Sequence, residues 1–210
     1  MVQVFRNFLA LTPAIIVAIY FHEMAHASLF KKTTKTRRNF SFVGCVDPLG
    51  LLMYYMFQFG WSRPFPINYW KLKKNGLPVT ILTIFSGPAM NLIIGVTAAL
   101  FFKYTGLFRY STLLARESYG QNYLLSYFSD VLYWIMVVNL KTSLFNLLPF
   151  PPLDGARLIE ITAPDNQVDW LAKFEVYGLL SLVVLSILGI IQLIMWPVSR
   201  LVEFITGLII

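Results

Sequence analysis

The chain of 210 residues is 57% hydrophobic and 13% charged, with a mean hydropathy of +0.65, a balance that excludes an ordinary soluble domain and points to a membrane protein in a lipid bilayer. The formal net charge of +7 does not indicate nucleic acid, because the Lys and Arg residues cluster beside apolar segments as the cytoplasmic flanks of membrane helices do. Cys45 is the only cysteine, so no intramolecular disulfide or cysteine metal cluster is possible, and it reads as a small buried apolar residue.

Residues 7–30 form a first span, long enough at about 1.5 Å per residue to cross a hydrocarbon core of roughly 30 Å. It is too long and ends too polar for a signal peptide. Basic residues follow it: Lys31, Lys32, Lys35, Arg37, Arg38, Arg63, Lys71, Lys73 and Lys74 all precede the next apolar run, whereas the 103–122 loop has only Lys103, Arg109 and Arg116. The positive-inside rule then places the N-terminus outside and the 31–78 linker in the cytoplasm. Within that linker, residues 40–60 (FSFVGCVDPLGLLMYYMFQFG) are apolar but carry DPLG turn chemistry after a short β-branched and aromatic run. The expectation is a re-entrant β-hairpin or loop packed against protein, since open backbone edges cannot face lipid; the alternative is a helix broken at Pro48. Residues 79–102, 123–148 and 174–197 supply three further spans, and the tail 198–210 reads as an interfacial amphipathic helix or an extension of the last one. The expected fold is therefore an all-α membrane protein of about four transmembrane helices, in a single domain over 1–210.

The first span carries FHEMAH, residues 21–26. His22 and His26 are four apart, so on a helix their imidazoles share one face at a spacing suited to one zinc ion. Glu23, offset by about 100°, can reach a water on such an ion without ligating it. HExxH also occurs by chance on solvated helices, but these are the only two histidines in the chain, and three ionisable groups inside a span are costly unless they are functional. Catalytic zinc usually keeps three protein ligands and one open position, so a third must come from Asp47, Asp130, Asp154 or Glu160. Asp154 stands in NLLPFPPLDGAR, residues 146–157, where prolines end the third span. Local chemistry leaves two readings open there, zinc ligand and helix N-cap.

FHEMAH together with NLLPFPPLDG resembles the site-2 protease family of intramembrane zinc metalloproteases. GWSRPFPIN (60–68) and SGPAMN (86–91) resemble the segments between, and DPLG fits the compact bacterial and archaeal branch without a PDZ domain. The resemblance implies that His22, His26 and Asp154 hold zinc (Zn2+), that Glu23 is the general base and acid, and that the site lies within a prokaryotic cell membrane nearer the cytoplasm. It also implies regulated proteolysis of membrane-spanning substrates. Since a substrate helix must be unwound before attack, strand addition of the extended substrate to the 40–60 hairpin is a further hypothesis.

Three asparagines complete the expectation. Asn139, Thr142, Ser143 and Asn146 follow i, i+3, i+4, i+7 spacing and form one polar stripe on the third span. Gly87, Asn91 and Gly95 make a small-residue face on the second. Asn146, Asn139 and Asn91 are candidates for contact with substrate, Asn146 closest to the chemistry, and each can equally be an interhelical hydrogen-bonder. Lys141 departs from the family pattern; at about 200° from Asn139 it points away from the stripe. A non-hydrolytic membrane zinc carrier is the competing reading, but it gives Glu23 no role.

Overall fold

The computed structural model describes residues 2–36, 39–68, 72–113, 122–162 and 168–209. Arg37, Arg38, Lys71 and Arg116, which enter the charge argument above, lie outside them. Among the described residues, three helices are long and apolar enough to cross a membrane: Phe5–Thr34 within α1 (Val2–Thr34), α4 (Leu77–Thr105) and α5 (Tyr123–Phe145). They pack on one another as the centre of the molecule. Small residues let their backbones approach, since lipid tails supply no hydrophobic drive and packing has to. Ala10, Ala14 and Ala18 of α1 are buried in one cluster with Ala98, Ala99 and Phe102 of α4 and Met136 to Val138 of α5. On α4, a Cβ added to Gly95 would stand 2.7 Å from Leu140 Cγ, so only glycine permits this crossing.

At the N-terminal end of α1 a buried ionic knot ties three segments. Asp130 on α5, fully buried, receives Arg6 at 2.9 Å, the Ser111 hydroxyl at 2.8 Å, and the Thr112 N–H and hydroxyl, each at 2.8 Å. Arg6 also donates to Ser126.

The 40–60 segment departs from expectation. It folds as two helices, α2 (Phe42–Cys45) and α3 (Pro48–Phe57), rather than as a β-hairpin, and the described residues contain no strand. DPLG is a helix start: Asp47 is the N-cap, accepting from Leu49 and Gly50 N–H at 2.9 Å each, and Pro48 occupies the first turn, where its missing N–H costs nothing. The helix ends at Gln58 in the left-handed region, φ 62°. The chain then turns back along α3, and a Cβ on Gly50 would overlap the Trp61 carbonyl. Tyr55 stacks on Phe8 at 4.3 Å and shares a 2.7 Å hydrogen bond with Thr12, anchoring α3 to α1. Cys45 is buried in α2, its thiol donating to the Ser41 carbonyl at 3.3 Å.

The fourth span is also not one continuous helix. After α6 (Asp154–Thr162), α7 (Val168–Ile187) stops at Gly189, whose φ of 78° reverses the backbone. A five-residue helix, α8 (Ile190–Ile194), and α9 (Trp196–Ile209) follow. The apolar run counted from sequence is real, but a left-handed glycine interrupts it. The tail is a separate helix, packed on α4 and α5, with Val202 and Thr206 buried and Leu201, Phe204 and Leu208 exposed.

Candidate metal centre

His22 and His26 stand one turn apart on α1, both 3% exposed. Their Nε2 atoms are 3.2 Å apart. Asp154, the first residue of α6, directs Oδ2 between them, 3.0 Å from His22 Nε2 and 3.1 Å from His26 Nε2. Ligand atoms about 2.0–2.1 Å from a tetrahedral zinc stand about 3.3 Å from one another, so this spacing is that of three corners around one ion. The chemistry of the donors agrees. His26 Nδ1 lies 2.8 Å from the Thr83 carbonyl oxygen, so Nδ1–H donates there and leaves the lone pair on Nε2, facing Asp154 and His22.

The other candidate acids are engaged elsewhere. Asp47 caps α3 and pairs with Arg63 at 3.5 Å, Asp130 holds the Arg6 knot, and Glu160 lies 3.6 Å from Arg157. His22, His26 and Asp154 form the one group of three metal-ligating side chains among the described residues. What brings Asp154 there is the 147–153 connection: Gly155 N–H donates to the Asn146 carbonyl at 2.7 Å, and a Cβ on Gly155 would overlap the carbonyls of Leu147 and Leu148.

Gly87 on α4 forms the facing wall. A Cβ there would stand 2.7 Å from His22 Nε2 and closer still to His26 Nε2. The position therefore lets α4 close directly against the two imidazoles, with no room for a side chain between them. Glu23, 1% exposed, accepts from the Ser62 hydroxyl at 2.5 Å through Oε1 and from the Phe65 N–H at 2.7 Å through Oε2. Ser62 and Phe65 belong to the GWSRPFPIN stretch, whose role sequence reasoning did not find.

The polar stripe on α5 is buried, and its members are not equivalent. Thr142 shares a 3.1 Å hydrogen bond with Tyr54 of α3, and the Ser143 hydroxyl donates to the Pro88 carbonyl at 2.8 Å, next to Gly87. Asn139 and Asn146 donate to carbonyls one turn back on their own helix, at 2.8 and 3.0 Å, with Asn139 Oδ1 unpartnered. Asn91 is fully buried, and neither its side-chain oxygen nor its nitrogen has a partner among the described residues.

Comparison with known proteins agrees with this geometry. The chain is 33% identical over 194 residues to the "Putative zinc metalloprotease YwhC" of Bacillus subtilis (strain 168), covering 87% of this chain and 82% of that protein. No solved structure matches it. The family model of peptidase family M50 matches residues 10–188, a range that holds both histidines, Glu23 and Asp154. A buried His-His-Asp cluster, its histidines on a helix long enough to cross a membrane, is thus set within a family match over residues 10–188: the chain belongs to peptidase family M50 and is a membrane zinc metalloprotease.

Proposed function

We propose that the protein is an intramembrane zinc metalloendopeptidase, one domain over residues 1–210, that hydrolyses peptide bonds in or near the transmembrane segments of membrane-protein substrates. The observation that carries this reading is the convergence of His22 Nε2, His26 Nε2 and Asp154 Oδ2 within 3.2 Å of one another on and beside a membrane-crossing helix. These three residues would hold zinc. Zinc, when bound, supplies Lewis acidity and lowers the pKa of a water towards about 7.

Glu23 takes the proton from the attacking water and delivers it to the leaving amine, a transfer worth about 10²–10⁴-fold in rate. Ser62 and the Phe65 N–H act on Glu23 as positioning groups, fixing the carboxylate's rotamer. Gly87 lets α4 pack directly against the two imidazoles, so a larger residue there would push them out of place. Asn146, Asn139 and Asn91 bind substrate, Asn91 bringing an unpaired amide. A substrate helix hides its amides in its own hydrogen bonds, so it must unwind locally before attack. Strand addition to residues 40–60 has no strand to add to, because α2 and α3 occupy that stretch. The basic residues of the 31–78 linker support an N-terminus outside a prokaryotic cell membrane and a site towards the cytoplasm. The carrier reading is not favoured: it leaves Glu23 and its two donors without a task.

The test is zinc content and cleavage of a single-span substrate by detergent-purified protein beside Glu23→Gln and Asp154→Asn. Zinc retained with cleavage lost in the first, and zinc weakened in the second, are the expected results. Cleavage persisting in Glu23→Gln would sink the mechanism.

A further inference from the structure

Lys141 carries a charge inside a span. It lies on α5 within Tyr123–Phe145, on the side away from the polar stripe, and its Nζ donates at 2.8 Å to Gln58 Oε1. That acceptor is neutral. Among the described residues no carboxylate lies within ion-pair distance of Lys141; Glu203 on α9, which lines the same cavity and acts on the ammonium at longer range, is paired with Arg200 at 3.0 Å. An ammonium held in a membrane without a direct ion pair is expensive, and such groups are kept where they meet a partner.

Space for a partner is present. A cavity of about 400 Å³ opens between α5 and α9, lined by Lys141, Gln58, Tyr133, Ser199 and Glu203, with Val137 and Val202 among its apolar walls. Tyr133, Val137 and Lys141 are four residues apart in sequence, so α5 presents them as one stripe along the cavity. Gln58, which bonds the ammonium, holds a left-handed backbone at φ 62° without being glycine, a conformation with a cost that persists where surrounding contacts impose it. The neighbouring Thr142 and Ser143 face Tyr54 and the Pro88 carbonyl beside Gly87. One helix thus shows the metal centre on one side and the lysine cavity on another.

We propose that Lys141 and this cavity form an exosite that receives an acidic side chain carried within the membrane by the substrate's transmembrane helix. The proposal rests on the protease reading for what the bound helix is, and it names the substrate class: spans with a carboxylate in the apolar stretch. Such a carboxylate is itself costly in lipid, so the pairing removes two uncompensated charges at once.

The experiment measures binding, so that its failure is separable from failure of the protease reading. Full-length Glu23→Gln protein in proteoliposomes is titrated by energy transfer with a labelled Leu/Ala helix of about 20 residues bearing one central Glu, Gln or Lys. The Glu helix should bind about tenfold tighter than the Gln helix, in the range of close charge pairs. Lys141→Gln should abolish the difference, and Lys141→Glu should transfer the preference to the Lys helix; zinc content checks the fold of each variant. Equal binding of the three helices, or a Glu preference unchanged in Lys141→Glu, overturns the proposal. A Glu preference appearing only after Glu203→Gln also overturns it, since Lys141 would then be the counterion of Glu203 within the chain.

Discussion

Two buried aspartates are set against α1, and they are opposites. Asp130, near its start, is enclosed by donors: a guanidinium, two hydroxyls and a backbone N–H. Asp154, near the other end, directs Oδ2 at two imidazole nitrogens that stand 3.2 Å apart, at least one of which carries a lone pair because its ring donates to Thr83 through the other nitrogen. The first cluster is complete as it stands. The second sets a carboxylate oxygen beside a ring lone pair, a donor set suited to a cation. Burial and carboxylate are the same in both; what surrounds them separates a fastener from the centre proposed above.

The strongest way to break the comparison is Glu23→Gln, which should cut cleavage by about 10²–10⁴-fold while leaving zinc and melting temperature near wild type, read by peptide release and metal analysis. Arg6→Ala attacks the other cluster. It leaves Asp130 buried and uncompensated, so stability should fall by about 3–5 kcal/mol, measured by denaturation in detergent, with zinc still bound in the folded fraction. Asp154→Asn sharpens the contrast: zinc affinity should fall about 10–100-fold or more, and a chelator that lowers the melting temperature of wild type should do little to the variant. Gly87→Ala should impair cleavage and zinc binding together, because its methyl falls 2.7 Å from His22 Nε2. Ser62→Ala is the mildest, removing one charge-assisted bond to Glu23 worth about 1.5–3 kcal/mol; activity should drop with zinc unchanged, and Ser62→Thr should restore part of it.

Much of the centre was legible because it is local. His22, Glu23 and His26 sit within five residues on one helix, where spacing alone sets direction. Asp154 was not decided by its own surroundings, since an aspartate opening a helix has an equally good local use; only the return of α6 to α1 separates the readings. Ser62 and Phe65 were invisible for another reason. A backbone N–H leaves no mark in a sequence, and the Phe65 side chain says nothing of what its amide does. The misread 40–60 segment did hold a readable sign: Asp-Pro suits an N-cap and first turn as well as it suits a bend, and here the helix won. The extent of the fourth apolar run was not legible, because an apolar count does not register that Gly189 reverses the backbone.

The order of the proposed ligands along the chain has a consequence for biosynthesis. The histidines and Glu23 lie on α1, whereas Asp154 follows more than a hundred residues later, after α4 and α5. On the proposed roles, a nascent chain that has made only α1 carries two ligands and a base with no third corner, and no wall at Gly87 until α4 arrives. The proposed centre closes only when α6 returns over that long stretch of chain, so a polypeptide still unfinished at α5 holds no working protease.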